Sequence, residues 1–137
     1  MQAKKKRANR KTDSQYEAAL ARRRRVLGDA HVARSLANAT DFDRDYQDFV
    51  TRYAWGGVWT RPGLDTRTRS LLTIAILAAL GRAEHLKLHV RATRNTGVSS
   101  AEVTETLMHV AIYAGVPAAD SAIKIAKANL EEMASER

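Results

Sequence analysis

The chain contains no cysteine. Disulfides, thiol redox catalysis and cysteine-ligated metals are therefore excluded. Proline occurs twice and aromatics make up only 6% of 137 residues. No stretch alternates polar and apolar residues as a half-buried strand would. No apolar run is long enough to span a bilayer, which needs about 20 residues, and no apolar signal segment opens the chain. A phosphate-cradling glycine loop, a serine nucleophile elbow and a dinucleotide fingerprint are also missing. These absences point to an all-α, cytoplasmic protein with no membrane partner.

The formal charge of +8 suggests a nucleic-acid partner until its location is examined. Residues 1–25 hold ten Lys and Arg against Asp13 and Glu17, which accounts for the whole excess. The other 13 basic and 13 acidic residues balance. The basicity is thus mostly a tail, residues 1–13, which lacks apolar spacing and reads as a disordered, solubilising end. No nucleic-acid partner is expected. The folded domain is expected to be single and to span residues 14–137.

About six helices can be placed. Residues 14–27 form the first, with Tyr16, Ala19, Leu20 and Leu27 on one side. Its run of four arginines, residues 22–25, covers a full turn, so one of them can reach inward to an anion. Asp41 can cap a helix that carries Phe42, Tyr46, Phe49, Val50 and Tyr53 at helical spacing, an aromatic core stripe. Residues 54–64, AWGGVWTRPGL, break the pattern with three glycines and a proline and are expected to form a loop.

A helical hairpin follows over residues 65–97. Asp65 caps its first helix, which is apolar at every position from 71 to 80 except Thr73. Such a helix has no wet face and is expected to be buried on all sides, with neighbours from other subunits completing the cover. The chain turns at Gly81 and Arg82. Ser99 and Glu102 have the spacing of a capping box, and Val103, Leu107, Val110, Ala111 and Ala114 share a face of the next helix. Gly115 stops that helix and Pro117 opens the last one, where Ala119, Ile123, Ala126, Leu130 and Met133 form a packing seam.

The ionisable residues cluster near the hairpin. His85 and His89 are four apart and share a face. The spacing suits two ligands of one metal, a structural hydrogen-bonding role, or acid–base work near neutral pH. No third ligand is in register, so no metal is expected; His31 and His109 are weaker candidates. Arg61, Arg67, Arg69, Arg82 and Arg91 lie in or near the loop and hairpin, and arginine grips carboxylates with a two-pronged fork. Trp55 and Trp59 are costly to leave in water, so they pack on a neighbouring subunit or line a pocket. A small planar di-acid suits this set.

The run YAWG-x-VWTRPGLD followed by RTRSLLT, within a likeness extending from about residue 24 to 130, resembles the carboxymuconolactone decarboxylases of the alkylhydroperoxidase-D-like group. The resemblance implies an all-α ring, a hexamer, that works without a cofactor. It implies loss of CO2 from 4-carboxymuconolactone to give 3-oxoadipate enol-lactone in the protocatechuate branch of the β-ketoadipate pathway. The sister peroxidases carry C-x-x-C-x-x-x-H; here the cysteine positions read Arg82 and His85, and the histidine is retained as His89. Without a thiol, peroxidase chemistry fails. The assignment that follows is His89 as proton donor, with His85 or Arg82 assisting at the dienolate. Arg61 or Arg67 would hold the substrate's acetate arm, and Trp55 and Trp59 would supply an apolar wall. The alternatives are a related decarboxylase or isomerase acting on another lactone, and a non-enzymatic helical oligomer whose tail binds nucleic acid.

Overall fold

The computed structural model describes residues 13–137, and every regular element among them is helical. The chain divides into two compact units, the first ending at Pro62 and the second beginning at Gly63. The tail reading concerns residues that lie outside the described ones, apart from Asp13.

The N-terminal unit holds α1 (Ser14–Leu27), α2 (Asp29–Ala37), α3 (Arg44–Val50) and a π-helix (Thr51–Trp59). The carboxylate of Asp13 accepts the Tyr16 N–H at 3.0 Å and so starts α1, leaving one fewer orphan donor at the helix end. Ala19, Leu20, Arg23 and Val26 form the buried side of α1, which packs against the π-helix. A Cβ added to Gly56 would stand 2.9 Å from the Cβ of Ala19. That glycine therefore permits close approach of two helices, and it does not break one. The expected loop over 54–64 is corrected accordingly: the backbone stays helical through Trp59 in wider turns.

Two further expectations are corrected here. Helix α3 begins at Arg44, with Asp43 at its cap position, while Asp41 pairs with Arg44 at 2.6 Å. The aromatic stripe is not core: Phe42, Tyr46, Phe49 and Tyr53 are all more than half exposed. Periodicity identifies a face that favours burial, but α1 covers a different face of this segment, the one carrying Thr51 and Trp55.

The C-terminal unit holds α4 (Thr66–Leu80), α5 (Ala83–Arg91), α6 (Thr93–Thr96), α7 (Ser100–Tyr113) and α8 (Val116–Ser135). Asp65 caps α4 by accepting the Thr68 N–H at 2.7 Å. Gly81 ends α4 in the left-handed region, φ 68°, where only glycine is comfortable. The capping box of Ser99 and Glu102 forms in both directions. Ile74 and Ala78 of α4, Leu86 and Val90 of α5, Val103 and Leu107 of α7, and Ala119, Ala122 and Ala126 of α8 make one core. On α8 the buried seam is Ala119, Ala122, Ala126, Asn129 and Met133, whereas Ile123 is 43% exposed.

Helix α4 is not buried all round within this chain. Ser70, Ile74 and Ala78 face the core, but Leu72, Ile76 and Leu80 are between 46% and 61% exposed. The other helices of the unit cover one side of it and leave a four-residue-spaced apolar ridge on the other.

Candidate active site

The tryptophans are set by the π-helix. Trp55 is 5% exposed and Trp59 is half-buried. Their rings stack with centroids 4.9 Å apart and planes at 29°. The helix closes behind them where Thr60 Oγ1 donates to the Gly56 carbonyl at 2.7 Å. Arg61 follows, exposed.

Of the four arginines in residues 22–25, the one that turns inward is Arg23. Nη1 donates to Thr51 Oγ1 at 2.9 Å and Nη2 to Gln47 Oε1 at 3.0 Å. Both acceptors are neutral, so the expected inward-facing arginine is present but its recorded partners are not anions. Burial holds the pKa of Arg23 below its usual value. A signal for this residue existed: positions 19, 23 and 26 continue the buried spacing of α1. His31, on α2, is partly buried. Its pKa is lowered first by that burial and then by Arg34 and Arg23.

Arg52 is paired with two carboxylates in the N-terminal unit. It binds Asp13 and Asp48 and lies over the Tyr16 ring, 4.9 Å from its centroid. These carboxylates raise its pKa. A cavity of about 310 Å³ opens beside them, lined also by Glu17, Arg44 and Gln47.

In the C-terminal unit, α5 carries His85 and His89. Four-residue spacing puts them on one face, but they differ in depth: His89 is 7% exposed and sits beside buried Leu86 and Val90, whereas His85 is exposed. Arg82 occupies the cap position of α5 and is exposed, without a side-chain capping bond. Arg67 is ion-paired with Glu102, the same carboxylate that completes the capping box. Arg91 is tied to Glu132 at 3.3 Å and to Glu136 at 2.6 Å, which sets it apart from a substrate role. A buried polar seam missed in the sequence also runs here. Thr96 Oγ1 donates to Ser70 Oγ at 3.0 Å, and Thr93 Oγ1 to the Val90 carbonyl at 2.6 Å.

A second cavity, of about 590 Å³, lies between α7 and α8, lined by Val103, Leu107, Ile123 and Leu130 among others. Neither cavity is lined by the tryptophans, histidines or arginines singled out in the sequence. Among the described residues no three His, Asp or Glu side chains are grouped to hold a metal ion, and no helix is long and apolar enough to cross a membrane.

What this arrangement can do is offer one sheltered imidazole on α5, one exposed imidazole and guanidinium on the same short helix, and a stacked apolar surface on the π-helix. None of these groups requires a cofactor to transfer a proton or to hold a carboxylate.

Comparison with known proteins narrows the chemistry. The chain is 49% identical over 115 residues to a 4-carboxymuconolactone decarboxylase from Acinetobacter baylyi, covering 84% of this chain and 86% of that protein. It is 40% identical over 111 residues to nitrosuccinic acid decarboxylase npaB of Metarhizium robertsii, covering 81% and 78%. A 4-carboxymuconolactone decarboxylase of Pseudomonas putida matches at 49% over 41 residues, 30% of this chain and 85% of that sequence. The family model for carboxymuconolactone decarboxylases matches residues 44–128, from the start of α3 well into α8. With more than half the chain inside that model and a relative at nearly half identity along most of its length, this protein belongs to the carboxymuconolactone decarboxylase family.

Proposed function

We propose that the chain is a carboxy-lyase that removes CO2 from 4-carboxymuconolactone to give 3-oxoadipate enol-lactone, without a cofactor, in protocatechuate catabolism. The observation that carries this reading is the 49% identity over 84% of the chain to a relative of that name. In the substrate the departing carboxylate sits on a ring carbon conjugated through C=C to the lactone carbonyl. Breaking the C–CO2 bond sends its electron pair through the double bond onto the carbonyl oxygen as a dienolate. A proton then adds to the carbon next to that carbonyl, and the enol-lactone results. The enzyme must stabilise the dienolate, return one proton and strip water from the departing carboxylate.

His89 is the proton donor. Its burial on α5 supports this role, because a sheltered imidazole can be held in one orientation. His85 and Arg82, exposed on the same helix, are the donors available to the dienolate oxygen. The acetate arm falls to Arg61 or Arg67, and Arg67 would first have to leave Glu102. Trp55 and Trp59 form the wall against which the carboxylate loses its hydration. The exposed ridge of Leu72, Ile76 and Leu80 supports a homo-oligomer. On the family's pattern the assembly is a hexamer, acting in the cytoplasm on a small di-acid with no nucleic-acid partner.

The test is turnover of His89→Gln on 4-carboxymuconolactone, with helicity and oligomer size checked alongside. Glutamine keeps the shape and one hydrogen bond. Loss of a general acid lowers the rate by about a hundredfold to ten-thousandfold. A folded variant keeping more than about a tenth of wild-type turnover would remove His89 from the role. A second reading is favoured by the 40% identity to npaB: decarboxylation of a nitro di-acid, where a nitro group takes the electron pair in place of the lactone. CO2 release measured on both compounds decides between them.

A further inference from the structure

The junction of α3 and the π-helix is built around a buried cation. Arg23 is 5% exposed, and its Nε is buried with no hydrogen-bond partner among the described residues. Its two other nitrogens reach Thr51 and Gln47. Thr51 is fully buried and donates its own hydroxyl proton to the Gln47 carbonyl at 2.8 Å. Gln47 is therefore gripped twice, by its side chain and through its carbonyl. Thr51 is the residue at which the backbone widens from α to π turns.

Burying a guanidinium without a carboxylate is unfavourable, and an apolar side chain of similar volume would usually fill such a space at lower cost. A π-helix is itself rare and concentrated at functional sites, so a register that widens at one residue needs something to hold it there. Arg23 supplies that hold, and Trp55 and Trp59 follow four and eight residues beyond Thr51. Arg23 lies outside the span matched by the family model.

We propose that Arg23 is a positioning residue: by clamping Gln47 and Thr51 it fixes where the helix widens, and thereby places the stacked Trp55 and Trp59 rings for turnover. The clamp stands on the geometry alone; its effect on turnover rests on the reading above that the two rings serve the substrate.

Trp55 and Trp59 are the chain's two tryptophans, so the near-ultraviolet circular dichroism of indole reports on this pair alone. Three variants are compared with the full chain. Arg23→Met removes both bonds, Thr51→Val removes the hydroxyl at constant shape, and Arg23→Lys keeps the charge but not the fork. With far-ultraviolet helicity and sedimentation unchanged, Arg23→Met and Thr51→Val should each lose at least half of the indole band. They should also lower kcat/KM by about tenfold to a hundredfold, mostly in kcat, the scale of a small misplacement near reacting groups. Arg23→Lys should recover part of both signals, and the Arg23→Met, Thr51→Val double variant should be no worse than the worse single one.

An unchanged indole band in a folded variant overturns the clamp. If Arg23→Met does not fold, Thr51→Val decides the same point. A changed band with unchanged kinetics overturns the positioning role, provided that Trp55→Leu or Trp59→Leu lowers turnover. If both tryptophan variants turn over normally, the wall assignment fails, and the indole band still decides the clamp.

Discussion

Gly56 and Gly57 are neighbours in one helix, yet alanine should act differently at the two. At Gly56 the new Cβ would lie 2.9 Å from the Cβ of Ala19 and 3.9 Å from its Cα. Carbon atoms rest at about 3.5–4.0 Å. Ala19 is fully buried, and its Cβ cannot swing aside because it is bonded directly to the backbone. Helix α1 and the π-helix must therefore part by roughly half an ångström or more, and overpacking of this kind costs about 1–3 kcal/mol. At Gly57 the nearest atom to a new Cβ is the Arg52 carbonyl oxygen at 3.9 Å, an ordinary contact. Both substitutions gain the same helix-propensity term, up to about 1 kcal/mol. That term cancels when the variants are compared, so the difference between them is the overpacking itself. Gly57→Ala should match or exceed the wild type, and Gly56→Ala should fall about 1–3 kcal/mol below Gly57→Ala. Urea unfolding followed by far-ultraviolet circular dichroism measures this, at one fixed protomer concentration because assembly adds to apparent stability. Adding Ala19→Gly to Gly56→Ala should recover part of the loss by removing the opposing methyl group. Equal stability of the two single variants would refute the close approach of α1 and the π-helix.

Three other outcomes are expected. His31 has its pKa lowered below the ordinary 6.5 by burial, Arg34 and Arg23, so the unfolded chain takes up that proton first. Its contribution to stability is full above about 6.5 and is lost as the pH falls through the lowered native value; His31→Gln should flatten that part of the plot of urea midpoint against pH. Sedimentation at micromolar concentration should show no monomer, and Ile76→Lys, in the middle of the exposed ridge of α4, should produce one; a wild-type monomer with full helicity would exclude obligate assembly. Removing residues 1–12 should leave kcat/KM unchanged, whereas a cut that also takes Asp13 should lower the unfolding midpoint, since Asp13 caps α1 and pairs with Arg52.

Features set by neighbours along the chain were legible in the sequence. The cap at Asp65, the turn at Gly81 and the box of Ser99 and Glu102 each involve residues a few positions apart, and they form as read. Features set across the fold were not. Gly56 resembled a helix breaker because its reason for being glycine is Ala19, 37 positions earlier. The stripe from Phe42 to Tyr53 was recognised as a face suited to burial and α4 as apolar all round, but nothing in their spacing says whether this chain provides the cover. The histidine pair was found by its interval, and its unequal depth follows from Leu86 and Val90, which bury the side of α5 nearest His89. Arg23 stood among three identical neighbours, and only its phase with Ala19 and Val26 distinguished it.

The π-helix also makes the length of residues 51–59 a heritable trait in its own right. In an α-helix each amide bonds four residues back, and in a π-helix five. Deleting any one residue of the nine offers the backbone the commoner, tighter winding. Eight residues wound at about 100° each turn through nearly the same angle as nine wound more widely, so the chain beyond would keep its course while the wide turn itself was lost. A point substitution here edits one side chain, whereas a one-codon deletion removes the widened turn that carries Trp55 and Trp59. Descendants of this sequence should therefore vary in the letters of this stretch well before they vary in their number.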